Sequence, residues 1–382
     1  MITMHTQAPQ ANNIYLDHAA TTPMLEEVVQ AMLPYMSARY ANPSSIYPMA
    51  SSVKSDLEKA RRTIKAHLGG QEGALFFTSG GTEANNWAIR GTVEAHGIAR
   101  IISSPLEHSS TLAAIASCQA RNVTIHYLPV NSQGDIDYEA LESLLKESPK
   151  TLVTLMHGNN EIGNRLDIAR IGSLCRKYGA IFHSDMVQTI GYYPIALNEW
   201  GVHLCTGSAH KFYGPKGIGF LYTNIEPPIA PFLYGGNQER GLRAGTENVA
   251  GIIGMAHALD YMHYRKEKHR RHIENLKNYA IKKIKQKLPY IQFHGRCDDP
   301  KQSLCNILNL GIPNCDQETF VLQLAMQGIY ASSGSACMSG THRESHVLRA
   351  LGKKKKGAIL RLSFGIHNRY EEIDTLINVL SK

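Results

Sequence analysis

Between Leu75 and Tyr222 the sequence alternates short runs rich in β-branched residues with segments of helical periodicity. In a chain with this alternation each helix returns the backbone to the same end of the sheet, so the strands lie mostly parallel. We therefore predict an α/β fold whose large domain has a mostly parallel central sheet with helices on both faces. The predicted strands are ALFFTS, RIISS, VTIHYLPV, TLVTLMH, AIFHSD, HLCTGS and GIGFLYT.

The last third of the sequence follows a different pattern. One long helix is predicted from 248 to 288, because apolar residues there recur at intervals that keep a single stripe. Beyond it, the strand-like runs SLCNILNL, GIYASSG and AILRLSF are separated by helical patterns near 318–327 and 345–351. We interpret this part as a smaller α+β domain. The predicted large domain comprises residues 17–260, and the small domain comprises residues 1–16 and 261–382.

Composition excludes several classes of protein. The 382 residues, 43% of them hydrophobic, can bury a conventional core, and the net charge of +8 permits an anionic partner without requiring one. No run approaches the roughly 18 apolar residues of a membrane span, and the first dozen residues lack a signal peptide's apolar core. The seven cysteines are scattered and never spaced as CxxC, so we expect neither disulfides nor a zinc site, and a cytoplasmic protein.

Several predicted strands end in residues capable of chemistry. In open α/β sheets ligands bind outside the carboxyl ends of the strands, so these residues are candidates for a common site. The clusters are Thr78-Ser79-Gly80, Glu107-His108, Asn159-Asn160-Glu161, Ser184-Asp185 and Ser208-Ala209-His210-Lys211.

Three of these clusters have complementary chemistry. The glycine-rich segment 78–83 opens a predicted helix, where backbone N–H groups favour a phosphate, although a capped glycine turn is an equal alternative. Lys211, after an apolar strand, is a nucleophile if it is buried and an ordinary surface lysine if it is not. Asp185, considered without the other clusters, is typical of a residue that caps a helix. Together an amine, an anion cradle and a carboxylate meet the needs of pyridoxal phosphate.

The motifs around these residues resemble those of the cysteine desulfurases, which are fold-type I enzymes of the class V aminotransferase family. The resemblance covers nearly the whole chain in order. It is carried by Ile14-Tyr15-Leu16-Asp17, Asn42-Pro43-Ser44-Ser45, TSGGTEANN, HGNNEIG, HSDMVQ, SAHKFYGPKGIG, RAGTEN, SSGSACMS and RLSFG.

The resemblance assigns roles around a bound pyridoxal phosphate. Lys211 is implied to be the lysine that binds the cofactor covalently, Asp185 to pair with the pyridine nitrogen, and His108 to stack on the ring and transfer protons. Gln188 and Asn160 are implied to reach the phenolic oxygen. The implied phosphate ligands are Thr82, Ser208 and His210, together with Thr246 from the neighbouring subunit, so the resemblance also implies a homodimer.

For the substrate, L-cysteine, the resemblance implies that Arg361 grips the carboxylate with help from Asn160 and Asn42. Cys337, in a stretch of small residues, is implied to be the nucleophile that takes the sulfur as a persulfide and passes it to an acceptor protein. Iron–sulfur clusters, thiolated nucleosides and phosphorothioate DNA are all open as destinations. The lysine run 353–356 is either a solvated loop or a dock for an acidic acceptor.

Two alternative functions are compatible with parts of the sequence. A selenocysteine lyase or an aminotransferase of the same fold would use the same cofactor residues, but the Cys337 segment favours desulfuration. A non-enzymatic scaffold or basic nucleic-acid-binding subunit would not need Lys211, Asp185 and His108, all of which are present. We therefore expect an enzyme with no metal site and no membrane partner. Direct contact with nucleic acid, through the lysine run 353–356, stays open as the less favoured alternative.

Overall fold

The computed structural model describes residues 13–147, 149–226, 228–333, 345–353 and 357–381. Its strands are β1 (Ile14–Tyr15), β2 (Ala74–Thr78), β3 (Arg100–Ser103), β4 (Thr124–Tyr127), β5 (Thr151–Thr154), β6 (Ile181–Asp185), β7 (Leu204–Ser208), β8 (Gly219–Thr223), β9 (Gln292–Phe293), β10 (Ile307–Ile312), β11 (Ile329–Tyr330) and β12 (Ala358–Ser363). Its helices are α1 (Glu26–Met36), α2 (Pro48–His67), α3 (Gly81–His96), α4 (Ser109–Cys118), α5 (Tyr138–Leu145), α6 (Ile168–Lys177), α7 (Leu197–Trp200), α8 (Val249–Lys287), α9 (Gln317–Met326), α10 (His346–Ala350) and α11 (Tyr370–Leu380).

The largest sheet has seven strands in the order β2-β8-β7-β6-β5-β3-β4. Strand β8 is antiparallel to both of its neighbours, and the other neighbouring strands run parallel to one another. Each of the seven strands predicted between Leu75 and Tyr222 is present, so the predicted α/β class and the mostly parallel sheet are confirmed. The carboxyl ends of β2, β3, β5, β6 and β7 consequently meet at one edge of the sheet.

Both faces of this sheet are apolar, because successive side chains of a strand point to opposite faces. On one face Phe76 of β2 packs in a cluster with Trp87 of α3. On the other face Phe77 belongs to the main core, which also contains Ile171 of α6. Strands that are buried on both faces need the near-continuous apolar sequences seen here, and this burial holds their ends in fixed positions.

The C-terminal third forms two small sheets beside the long helix α8. Strands β12, β10 and β9 pair antiparallel in that order, and β1 pairs parallel with β11. The predicted helix at 248–288 is confirmed by α8, which begins where the side chain of Asn248 accepts a hydrogen bond from the N–H of Gly251 at 3.1 Å. The predicted helices near 318–327 and 345–351 correspond to α9 and α10.

The division of the chain into domains at residue 260 stays a prediction. That position lies inside α8, which runs unbroken from Val249 to Lys287. In the part of the chain that the structure describes, no helix has both the length and the apolar character that a membrane span requires.

Candidate functional site

A cavity of about 340 Å³ opens at the edge of the large sheet where the carboxyl ends of the parallel strands meet. Its volume lies in the range of roughly 300–1,000 Å³ that is typical of small-molecule sites. Most of the residues predicted for the cofactor and the substrate line it. These residues are Thr82, His108, Asn160, Asp185, Gln188, Ser208, His210, Lys211 and Arg361.

Asp185 is the last residue of β6 and forms a buried wall of this cavity. Its Oδ2 accepts a hydrogen bond from Asn85 Nδ2 at 2.7 Å, and its Oδ1 accepts one from the backbone N–H of Val187 at 3.0 Å. Burial, and secondarily the charge of Asp185, raises the pKa of the neighbouring Glu107 carboxyl well above its usual range. Burial thus disfavours the ionised form of Glu107, and Asp185 lines the cavity, where a carboxylate can stabilise a protonated heterocyclic nitrogen.

Lys211 follows β7 in a short helical turn and reaches back across the cavity. Its Nζ donates hydrogen bonds to the carbonyl oxygens of Ala19 at 2.6 Å and Ala20 at 2.8 Å. Gln188 Nε2 also donates to the carbonyl of Ala19, at 3.0 Å. The amine thus lies inside the cavity and is not the surface lysine that the sequence left open as an alternative.

An anion cradle lies at the start of α3. The turn at Gly80 leads directly into the helix, where the backbone N–H groups of the first turn lack partners within the helix. This turn packs closely against β8, as shown by the 2.8 Å that would separate a Cβ added at Gly219 from Gly80 Cα. Ser208 faces the same turn: a Cβ at Gly80 would lie 3.8 Å from Ser208 Oγ. Small residues therefore keep room for a phosphate at the helix N-terminus.

His210 lies between this cradle and Lys211. Burial, and then the charges of Lys211 and Lys216, lowers its pKa to about 4. Its Nδ1 lies 3.3 Å from the hydroxyl of Thr21. A neutral imidazole offers one N–H donor, which suits a hydrogen bond to a phosphate oxygen without adding a second charge beside the lysine.

Arg361 of β12 brings a buried positive charge to the opposite side of the cavity, where it is 1% exposed. Its Nη1 donates to the carbonyl of Asn160 at 2.8 Å, and its Nη2 donates to Asp17 Oδ1 at 2.7 Å. The Asp17 carboxylate compensates the buried guanidinium and holds its plane. A planar guanidinium held in this way is suited to binding the carboxylate of an amino acid.

His108 follows β3 and is the N-cap residue of α4. Its Nδ1 accepts a hydrogen bond from the backbone N–H of Ser110 at 3.2 Å, and Ser110 Oγ lies 2.7 Å from the same nitrogen. The ring is therefore held by its own helix while it lines the cavity.

The residues of the cavity fit pyridoxal phosphate. The cofactor needs an amine for its aldehyde, donors for its phosphate and a carboxylate for its ring nitrogen. Lys211, the N-terminus of α3 with Ser208, and Asp185 supply these three features inside one cavity. The arrangement thus meets each requirement that the sequence suggested separately.

Two predicted residues of the described chain do not line this cavity. Asn42 is exposed, and its Oδ1 accepts a hydrogen bond from the backbone N–H of Ser44 at 3.0 Å. Thr246 is also exposed and does not line the cavity of its own chain, which agrees with its assignment to a neighbouring subunit but does not test it. Cys337 lies outside the described residues, as do residues 354–356 of the lysine run.

Sequence reasoning missed several residues of the site. Asn85 and Asp17 lie within the motifs TSGGTEANN and IYLD, but no role in the site was predicted for either residue. His346 also lines the cavity, and its Nε2 donates to the carbonyl of Glu107 at 2.9 Å. The position of Asn85 and Asp17 within these motifs is the sequence signal that could have identified them. It does not reveal their hydrogen-bond partners, Asp185 and Arg361, which are distant in sequence.

The cysteines that the structure describes are all free. Five are buried, and Cys315 is partly exposed. Over the described ranges, no group of three or more histidine, cysteine, aspartate or glutamate side chains is arranged to hold a metal ion.

Comparison with known proteins places these observations in a family. The family described as aminotransferase class-V matches residues 14–376. A relative named cysteine desulfurase IscS, from Dictyoglomus turgidum, is 36% identical over 375 residues, covering 97% of this chain and 94% of the relative.

Solved structures agree with this match. A NifS-like protein superposes with a TM-score of 0.88 at 32% identity, covering 97% of this chain and 98% of its own. A structure titled SspA in complex with cysteine superposes with a TM-score of 0.77 at 28% identity, covering 93% of this chain and 100% of its own. The fold is therefore that of fold-type I pyridoxal phosphate proteins.

Proposed function

Because this chain belongs to the class-V aminotransferase family, we propose that it acts as a pyridoxal-phosphate-dependent cysteine desulfurase, converting L-cysteine to L-alanine. The observation that carries the proposal is the meeting of Lys211, Asp185 and Arg361 at one cavity. The names of the relatives support the choice of L-cysteine as substrate, since a protein 36% identical to this chain is named a cysteine desulfurase and a structural neighbour was solved with cysteine.

The residues that would hold the cofactor line the cavity. Lys211 would bind its aldehyde carbon and Asp185 its ring nitrogen, while Gln188 and Asn160 would serve its phenolic oxygen. Its phosphate would take hydrogen bonds from the start of α3, including Thr82, and from Ser208 and His210. When bound, pyridoxal phosphate withdraws electrons from the α-carbon of the substrate amino acid.

The substrate carboxylate binds to Arg361. The guanidinium is already oriented by Asp17 and the carbonyl of Asn160, so little side-chain entropy is lost when the carboxylate arrives. Asn160 and Asn42 are proposed to assist. This contact fixes the α-carbon relative to Lys211 and His108, which is the role of such a clamp in catalysis.

Two side chains move protons. Lys211 Nζ would take the α-proton of the substrate, and the carbonyls of Ala19 and Ala20 accept hydrogen bonds from this amine. His108 supplies a proton later in the cycle. Both lie in the cavity with Arg361, so both are within reach of a substrate whose carboxylate is bound there.

The sulfur step is assigned to Cys337. Its thiolate forms a sulfur–sulfur bond with the substrate, the carbon–sulfur bond breaks, and the electron pair stays with carbon, which gains a proton and leaves as alanine. The sulfur remains on Cys337 as a persulfide and passes to an acceptor protein. Iron–sulfur cluster assembly, thionucleoside formation and DNA phosphorothioation are the three proposed uses of this sulfur. The proposed location of the reaction is the cytoplasm.

A single assay tests the proposed function. The purified holoenzyme with L-cysteine and a small thiol should release L-alanine, and mass spectrometry should find a persulfide on Cys337. Cys337→Ser should still bind the cofactor but form no persulfide. Absence of alanine, or a persulfide on Cys315 instead, would refute the assignment.

The homodimer is also a proposal, and exposed apolar side chains support it. Ile46, four residues after Asn42, is 99% exposed, and Tyr234, on the segment that precedes Thr246 by twelve residues, is 81% exposed. Such side chains on a monomer's surface are suited to burial against a second copy. The second copy would then supply Thr246 to the phosphate cradle.

Subunit complementation tests this arrangement. Lys211→Ala and Thr246→Val homodimers should both be impaired, but a mixed dimer would contain one site with both changes and one site with neither. Mixing with subunit exchange should therefore restore activity to that unaltered site. If mixing restores nothing although exchange is demonstrated, Thr246 acts within its own chain or not at all.

The alternatives within the family are distinguished by substrate. A selenocysteine lyase would act on L-selenocysteine but not on L-cysteine, and an aminotransferase would convert pyridoxal phosphate to pyridoxamine phosphate with an amino donor. The desulfurase assignment predicts alanine from L-cysteine without a keto-acid acceptor.

A further inference from the structure

Three successive hydrogen bonds connect Asp185 to His108 along the wall of the cavity. Asn85 Nδ2 lies 2.7 Å from Asp185 Oδ2 and 3.0 Å from Ser110 Oγ. Ser110 Oγ in turn lies 2.7 Å from His108 Nδ1. Asn85 is 1% exposed and Ser110 is 7% exposed, so water does not compete for these contacts.

The direction of each hydrogen bond follows from the carboxylate. An ionised carboxylate only accepts hydrogen bonds, so the amide nitrogen of Asn85, rather than its oxygen, faces Asp185. The second amide hydrogen of Asn85 then points to Ser110 Oγ. Since Ser110 Oγ accepts from Asn85, its own hydrogen is directed to His108 Nδ1.

The backbone gives an independent reason for the same arrangement. The N–H of Ser110 points at His108 Nδ1 from 3.2 Å, and a hydrogen on Nδ1 would oppose it. Nδ1 is therefore an acceptor, and the hydrogen of the neutral imidazole resides on Nε2. Reversal of the Asn85 amide would turn the Ser110 hydroxyl away from His108 and remove the stronger of these two constraints.

We propose that Asn85 and Ser110 are positioning residues that tie the tautomer and ring orientation of His108 to the ionised carboxylate of Asp185. The inference rests on the proposed function, in which His108 transfers a proton to the substrate. The carboxylate that activates the cofactor ring and the imidazole that serves the substrate are thus set by one network, and the Nε2–H edge is the one presented for catalysis.

The direct test is the tautomer of His108 in the holoenzyme. Nitrogen-15 spectra of protein labelled at histidine separate a ring nitrogen that carries hydrogen from one that does not, and the signal absent from His108→Gln identifies the residue. The unaltered protein should show hydrogen on Nε2 alone. Ser110→Ala should show a mixture of tautomers, and Ser110→Thr, which keeps the hydroxyl, should retain Nε2–H.

Kinetics provide the second readout. Ser110→Ala should lower kcat about tenfold while KM for L-cysteine changes less than twofold, because the hydroxyl is directed at His108 Nδ1 and acts on proton transfer. The cofactor absorbance should not change. Ser117→Ala is the matched control, since Ser117 lies on the same helix but is exposed, and its hydroxyl donates to the carbonyl of Ala114. It should behave as the unaltered protein.

A double variant shows whether Asn85 and Ser110 act through one hydrogen-bond network or affect activity independently. If Asn85 acts through Ser110, Asn85→Ala and Ser110→Ala together should be no slower than the slower single variant. Unchanged His108 tautomer and unchanged kcat in Ser110→Ala would overturn the inference, as would fully additive losses. An unaltered protein that releases no alanine from L-cysteine would instead refute the proposed function. Should Ser110→Ala not fold, Asn85→Ala alone provides the tautomer test.

Discussion

At the scale of single residues, the site depends on charges that are buried or half-buried and are each held by their own hydrogen-bond partners. Lys211 is held by two backbone carbonyls, and Arg361 by Asp17 and a third carbonyl. Burial and the charge of Asp185 raise the pKa of Glu107, which disfavours its ionised form. Because Lys211 and Arg361 have separate partners, removal of each should affect a separate step.

Lys211→Ala should abolish turnover, because no other lysine of the described chain lines the cavity. Alanine release from L-cysteine should fall at least about a thousandfold, the scale expected when a nucleophile and base is lost. Lys150→Ala, which alters an exposed lysine, should retain full activity. Turnover of Lys211→Ala close to that of the unaltered protein would refute the assignment of the lysine.

Arg361→Lys should act mainly on substrate binding. A lysine keeps the positive charge but cannot donate two parallel hydrogen bonds to a carboxylate. Loss of one charge-assisted hydrogen bond, about 1.5–3 kcal/mol, corresponds to a rise of about ten- to a hundredfold in KM for L-cysteine. Steady-state kinetics measure this rise, and an unchanged KM would place the carboxylate elsewhere.

At the scale of elements, a buried ion pair fastens the edge of the large sheet. Arg61 of α2 donates to Glu239 Oε2 and Oε1, each at 2.8 Å, and the backbone N–H of Phe77 in β2 donates to Glu239 Oε2 at 2.9 Å. Glu239 has a left-handed backbone, with φ 45°, which is unusual for a residue with a side chain. The pair thus holds the segment that leads to Thr246 against β2.

Glu239→Gln should lower the free energy of unfolding by about 3 kcal/mol, because it leaves the buried Arg61 guanidinium without its main counter-charge. Urea denaturation of the holoenzyme at fixed protein concentration measures the change. Glu94→Gln is the control: it breaks the exposed pair with Arg121 and should cost less than about 1 kcal/mol. Equal effects of the two changes would show that the buried pair does not stabilise the fold.

At the scale of the whole molecule, several buried histidines should make stability depend on pH. Burial lowers the pKa of His183 to about 4 and that of His157 to about 3, and burial followed by the charge of His367 lowers the pKa of His18 to about 4. Each therefore stays neutral in the folded protein at pH 5 but binds a proton when the chain unfolds, since the ordinary pKa is 6.5. Their contribution to stability is present above pH 6.5 and is lost as the pH falls towards 4.

The free energy of unfolding should accordingly fall by at least about 1 kcal/mol per pH unit between pH 7 and pH 5. Glu107 opposes this trend, because its raised pKa favours the folded state at lower pH, but it is one group against several. Urea denaturation at both pH values tests the slope. His183→Gln should flatten it, whereas His126→Gln, at a partly exposed position, should not; stability that rises towards pH 5 would contradict the prediction.

Sequence alone determined the elements and their order. The apolar runs between Leu75 and Tyr222 are buried on both faces of one sheet, so their pattern was sufficient to predict seven strands and the edge at which the site lies. Most of the residues proposed for the cofactor line the cavity, and they could be named from sequence because they follow strand ends within recognisable motifs. The long helix was predictable because its apolar stripe continues without interruption from 248 to 288.

Only the tertiary structure decided which side chains touch. Asp17 and Arg361 are 344 residues apart, and Asn85 and Asp185 are 100 apart, yet each pair is joined by one hydrogen bond. No periodicity records such contacts, because they depend on how helices and strands pack and not on local conformational preference. The raised pKa of Glu107 and the hydrogen bonds at His108 Nδ1 follow from burial and packing, which exist only once the chain has folded.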